Sequence, residues 1–115
     1  MSHRSKQLVC IVSLVLATFL LAGCPPRESI AKVKMDPGRY AGREISIAGR
    51  VTDAFGAMGH GAFEVDDGTG RIWVVTGTGV PETGAKLAVV GHVEQGVAIA
   101  GRNFAVILRE TERRH

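Results

Sequence analysis

The chain has 115 residues, 22% charged and 45% hydrophobic, which is room for one small domain and excludes both a highly charged disordered tail and a polytopic membrane protein. Gly is frequent (15) and aromatics scarce (5%); with no heptad pattern present, that excludes coiled coils and helical bundles and favours short strands joined by tight turns. The net charge of +3 contains Arg4 and Lys6, and the segment 1–23 has no acid, so residues 24–115 carry 12 basic side chains against 11 acidic ones and are nearly neutral. A basic pI therefore says little about nucleic acid here.

His3, Arg4 and Lys6 open the chain, and Leu8 to Ala22 follow without a charge. That run is shorter than the ~20 apolar residues of a membrane span and fits the basic and apolar regions of a secretory signal. The next residues, Leu21-Ala22-Gly23-Cys24, resemble the lipobox of bacterial lipoproteins. The resemblance implies cleavage before Cys24 after its sulfur has received a diacylglyceryl group. The alternative is an uncleaved anchor with an incidental cysteine; the charge, the run length, the LAGC tetrapeptide and Pro25-Pro26 agree on the lipoprotein. Residues 1–23 then read as signal peptide and 24–29 as lipidated cysteine plus short tether. Cys10 leaves with the signal and Cys24 becomes a thioether, so no disulfide forms. The two or three acyl chains, palmitate among them, hold the protein on a bilayer far more firmly than one chain does. The family often uses aspartate after the cysteine for inner-membrane retention. Pro25 stands there instead, which implies the outer membrane, facing the periplasm, in a host that has one.

Residues 30–110 read as a single domain. Ser29 is placed to cap a short helix over Ile30 to Met35, stopped at Pro37-Gly38, with Ile30, Val33 and Met35 near one another and packing onto the barrel. Its amphipathic pattern is too short to establish membrane or partner binding. From Arg43 the period becomes two: Ile45, Ile47, Gly49 and Val51 face in. Ala54–Ala62 reads as a mobile, glycine-rich loop. Phe63 and Val65 face in from a second strand, Asp67-Gly68-Thr69-Gly70 turns the chain, and Ile72 and Val74 face in from a third, leaving Trp73 outward. Gly77–Gly84 is a loop. Lys86–Gln95 forms a fourth strand with Leu87, Val89, Gly91 and Val93 inward. A final strand lies within Val97–Leu108, interrupted near Gly101-Arg102-Asn103, and 111–115 reads as a frayed charged tail. Five short strands in so few residues predict an all-β fold with a small α contribution, closed into a barrel that removes its edges. Gly49 and Gly91 are expected at its corners.

The segment Asp36 to Val51, with its Pro-Gly-Arg-Tyr-Ala-Gly element, resembles the opening of bacterial OB-fold domains of the tRNA-anticodon-like type. Phe63 to Val74 and Gly84 to Val93 resemble that family's later strands, and the likeness covers residues 30 to 110. It implies a five-stranded barrel that binds ligands across strands 2 and 3 and the adjoining loops. Nucleic-acid-binding members usually carry a helix between strands 3 and 4. Gly77–Gly84 is too short for one, which leaves a barrel end open or covered by the segment before Tyr40.

The candidate ligand-binding residues are Trp73, with Arg50 and Arg71 beside it, and Phe55, Met58 and His60 in the loop between strands 1 and 2. Trp73 either stacks a base or sugar or simply covers the barrel wall beneath the N-terminal helix or the C-terminal strand. His60 lacks a second ligand at a metal- or haem-binding spacing, and the His-x-x-x-Tyr signature of haem chaperones is absent. Asp66-Asp67 reads as a turn, because successive strand residues point to opposite faces. No catalytic triad, metalloprotease or phosphate-loop pattern occurs. The expectation is a non-enzymatic binding module of the cell envelope, without cofactor or metal, bound to lipid through Cys24 and to an envelope protein, glycan or small ligand. Single-stranded nucleic acid is the alternative; a structural envelope adaptor is the second.

Overall fold

The computed structural model describes residues 25–57 and 60–114; the expected signal segment, Cys24 and Met58 lie outside them. Two short helices, α1 (Ile30–Met35) and α2 (Pro37–Tyr40), precede β1 (Glu44–Ala57), β2 (His60–Asp66), β3 (Arg71–Thr76), β4 (Lys86–Ile99) and β5 (Arg102–Arg114). The strands close into a barrel in the order β1-β2-β3-β5-β4. Every pair is antiparallel except β3 with β5, which run parallel with Trp73 opposite Ile107. The fold is the all-β barrel with a small helical contribution that the alternation implies.

The interior is filled by the residues whose two-residue period selects them. Ile45, Ile47, Val51, Phe63, Val65, Ile72, Val74, Leu87, Val89, Val93 and Leu108 form one buried cluster. Ile30, Val33 and Tyr40 join it from the helices, whereas Met35, expected to pack with Ile30 and Val33, ends α1 on the outside and is exposed. All of these positions fall between Ile30 and Leu108.

Glycines sit where backbones meet. A Cβ on Gly49 would lie 2.3 Å from the Asp66 carbonyl oxygen, and one on Gly91 2.3 Å from that of Arg109. At Gly49, β1 nears the end of its pairing with β4, and from Arg50 it pairs with β2. A shift of register marks Gly91 in β4. These are the barrel's corners.

Five stretches differ from the sequence reading. Of the expected Ala54–Ala62 loop, residues 54–57 and 60–62 are strand, with Ala57 opposite His60; Met58 and Gly59 lie outside the described residues. Gly56 and Gly61 face each other there, and a Cβ on either would strike backbone at 2.5 or 2.4 Å. Close approach, not mobility, is their use. The fourth strand continues past Gly96 to Ile99, where Ala100 (φ 50°) and Gly101 (φ 79°) turn the chain into β5. Two consecutive positive-φ residues are the geometry of a tight two-residue hairpin. The expected frayed tail belongs to β5, which pairs with β4 as far as Arg114 opposite Ala88. Its Arg113 pairs with Glu110 at 3.0 Å, the two side chains only 15% and 5% exposed, and lies over the Phe63 ring. Arg113 Nη2 also donates to Gly79 O and Thr76 Oγ1. A closed polar network thus fixes the strand's end. Helix formation resumes after Met35, with Pro37 at the start of α2, a position where its missing N–H costs nothing.

The fifth concerns the tether. Ser46 N–H donates to Pro26 O and Glu28 N–H to Ser46 O, both at 2.9 Å, and Arg27 Nε donates to Ser46 Oγ. Residues 26–28 therefore run along β1 as a bound strip.

The segment before Tyr40 also covers the barrel end at the β2–β3 turn. Asp67 Oδ2 accepts from Ile30 N–H and Thr69 Oγ1 from Ala31 N–H, while Ser29 Oγ accepts from Lys32 N–H. The first three orphan donors of α1 are thus satisfied, two by the turn and one by the expected cap.

Candidate binding face

On the outer wall, Trp73 sits between two phenylalanines. Its ring centroid is 5.4 Å from Phe55 of β1 and 5.6 Å from Phe104 of β5, both tilted by 53–54°. Tilted packing at these separations is the favourable arrangement of aromatic quadrupoles. The Arg102 guanidinium carbon lies 5.1 Å from the Phe55 centroid, 5.0 Å from Trp73 and 5.4 Å from Phe104. Arg102 is exposed and the three rings are half-buried, so the cluster offers ring surface to solvent with a cation held over it.

The strands explain this placement. Alternation puts Trp73 outward from β3, and Ile107 stands opposite it on β5. Phe55 lies opposite Ala62, which lies opposite Val75. Ala62 and Ile107 are fully buried yet outside the interior cluster. They lie in the pairs that carry the two rings, Ala62 opposite Phe55 and Ile107 opposite Trp73. Arg102 and Phe104, two residues apart after the Ala100-Gly101 turn, share one face of β5.

The cluster therefore unites two of the expected residues, Trp73 and Phe55, and adds Arg102 and Phe104, which the sequence reading missed. Their available signal was the turn at Ala100-Gly101 followed by an Arg-x-Phe alternation. Trp73 is covered in part by the C-terminal strand, through Phe104.

The other expected residues stand apart. Arg71 is held by Asp66 at 3.2 Å and lies 3.8 Å from Glu64. Arg50 lies opposite Lys86 and donates to Gly84 O. His60 is exposed at the β1–β2 tip, where it shares a depression of about 330 Å³ with Ile99, Arg109 and Glu110. The two hairpin tips meet there.

Asp66 and Asp67 serve the turn. Asp66 Oδ1 accepts from Gly68 N–H, and Asp67 Oδ1 from the Thr69 and Gly70 N–H groups and the Thr69 hydroxyl. Burial works to raise the Asp67 pKa, but the hydrogen bonds from the Thr69 hydroxyl and the Ile30, Thr69 and Gly70 N–H groups outweigh it. The carboxyl is held below its ordinary range. Among the described residues, no three His, Cys, Asp or Glu side chains converge as metal ligands would.

No protein-family profile matches the chain, and neither does any curated protein. Among solved structures it is similar to OBody AM3L09 bound to hen egg-white lysozyme, at 17% identity and a TM-score of 0.52. The match covers 66% of this chain and 83% of that one. At that identity the likeness speaks for the fold alone, and the fold is OB-like.

Proposed function

We propose that the protein is a lipid-anchored, non-enzymatic binding module of the bacterial cell envelope, whose aromatic wall grips a protein partner. The observation that carries this reading is the Phe55–Trp73–Phe104 layer with Arg102 over it. Aromatic residues and arginine are the types enriched at protein interfaces. Two arginines of the neighbouring strands are paired with acids: Arg71 with Asp66 and Arg109 with Glu94. A mixed-charge rim suits a protein better than a polyanion. In the similar solved structure the same fold carries a protein, lysozyme. The placement rests on the basic start, the apolar run and Leu21-Ala22-Gly23-Cys24. The non-enzymatic reading rests on the missing catalytic patterns, and a glycan or small ligand would use the same wall.

Single-stranded nucleic acid remains the second reading because the wall offers three rings and not one, and stacking on aromatics beside arginine is how such strands are held. Salt separates the two. Oligo-dT binding would quench Trp73 fluorescence at low salt and fade steeply as salt rises; unchanged fluorescence at low salt removes that reading. For the leading one, the tagged, lipidated protein is crosslinked in cells and purified. A partner retained by wild type and lost from Trp73→Ala supports it, and recovery of bait alone refutes it.

A further inference from the structure

Charge is unevenly divided along the folded chain. Residues 25–43 hold five basic side chains against two acidic ones, a net of +3, whereas residues 44–114 hold seven against nine, a net of −2. The five cations are Arg27, Lys32, Lys34, Arg39 and Arg43. All are exposed, and none forms an ion pair among the described residues, where the ion pairs all lie within the barrel. Of the two acids, Glu28 accepts from the Tyr40 hydroxyl. Met35, at the end of α1, is 85% exposed, an apolar side chain projecting between Lys34 and Arg39 in sequence.

This basic, Met-tipped end is also where the chain enters the domain. Pro26 and Glu28 are hydrogen-bonded to Ser46, so hardly any slack separates the barrel from Cys24. An acyl anchor on that cysteine would hold α1 and α2 close to a bilayer surface.

We infer that the α1–α2 end is a docking surface for anionic phospholipid headgroups, with Lys32, Lys34 and Arg39 meeting phosphates and Met35 entering the interface. The inference rests on the acyl-anchor reading of Cys24 and deepens it: the anchor tethers the protein, and the cap sets its orientation, with the aromatic wall left free. Cations near an anionic membrane each strengthen partitioning by about fivefold, and an apolar residue inserted among them adds to the effect.

The test uses the chain from Pro25, which contains the core found among the described residues and lacks Cys24. Co-sedimentation is measured with vesicles of phosphatidylcholine alone and with phosphatidylglycerol added. Binding is expected only to the second kind, fading with salt. Lys32→Ala with Lys34→Ala is expected to weaken it about 25-fold, with an unchanged melting temperature because both side chains are exposed. Arg109→Ala, in the barrel, is expected to stay within about twofold of wild type, since it removes no charge from the docking surface. This chain has no cysteine, so Met35→Cys carries a polarity-sensitive dye that should shift to the blue only on phosphatidylglycerol vesicles. Equal binding to both lipids, no dye shift, or an equal loss in Arg109→Ala overturns the inference. Mass analysis of Cys24 in the cell-purified protein tests the anchor separately: a bare thiol there ends the anchor reading, while the vesicle result still decides the docking surface.

Discussion

At one end of β2, α1 and α2 close the barrel with Ile30 and Val33 and leave unpaired cations outside; at the other, the hairpin tips meet beside an aromatic wall. The two regions are held by different means. The cap is fastened by hydrogen bonds from its first N–H groups to Asp67 and Thr69, together with burial of two aliphatic side chains. The wall is held by backbone pairing so close that only glycine fits at Gly56 and Gly61, and by rings packed on one another. What differs outside follows from this. The cap turns Ile30 and Val33 inward and shows charge around an exposed Met35, while the wall keeps its aromatic rings at the surface, where a partner can cover them.

Substitutions can break each region without the other. Ile30→Ala should have the largest effect, a loss of about 2–5 kcal/mol in chemical denaturation, because a fully buried side chain leaves a cavity under the cap. A loss below about 1 kcal/mol would mean that the cap adds little to the barrel. Trp73→Ala should weaken partner capture by about 2 kcal/mol or more, as a hot-spot truncation does, and leave vesicle binding unchanged. Loss of both would show that the two surfaces are not separate. Gly61→Ala should cost about 1–3 kcal/mol by forcing the β1–β2 tip apart, and it should loosen the Phe55–Trp73 contact, visible in tryptophan emission.

The smallest effect concerns acid. The Asp67 carboxyl is held below its ordinary range in the folded protein, so its stabilisation is complete above the unfolded-state pKa and is lost as pH falls through the folded one. Melting temperature should drop on acidification below about pH 4, and Asp67→Asn should flatten that part of the profile. An identical acid slope in the variant would contradict the role given to Asp67.

Much of the barrel was legible in the chain because alternation is a local signal. Ile45, Ile47, Phe63, Val65, Ile72, Val74, Leu87, Val89 and Val93 each declare a face by their neighbours, and Ser29 declares a cap. Partnership was not legible. Gly56 and Gly61 look like mobility in one dimension and are close backbone approach in three. Arg113 looks like a frayed charge, yet the barrel mouth buries it against Glu110 and Phe63. Trp73 announced itself as an outward ring. That Phe104, thirty-one residues later, would stand beside it depends on β5 lying next to β3 in the barrel, which no local pattern encodes.

The most direct test of the binding wall is site-specific photocrosslinking in living cells, with the photoreactive residue at Phe104 and, for comparison, at Glu82 in the exposed loop between β3 and β4. The account predicts a discrete adduct from position 104 that disappears with Trp73→Ala, and none from position 82. Equal labelling at both positions, or an adduct at 104 that survives Trp73→Ala, would contradict it.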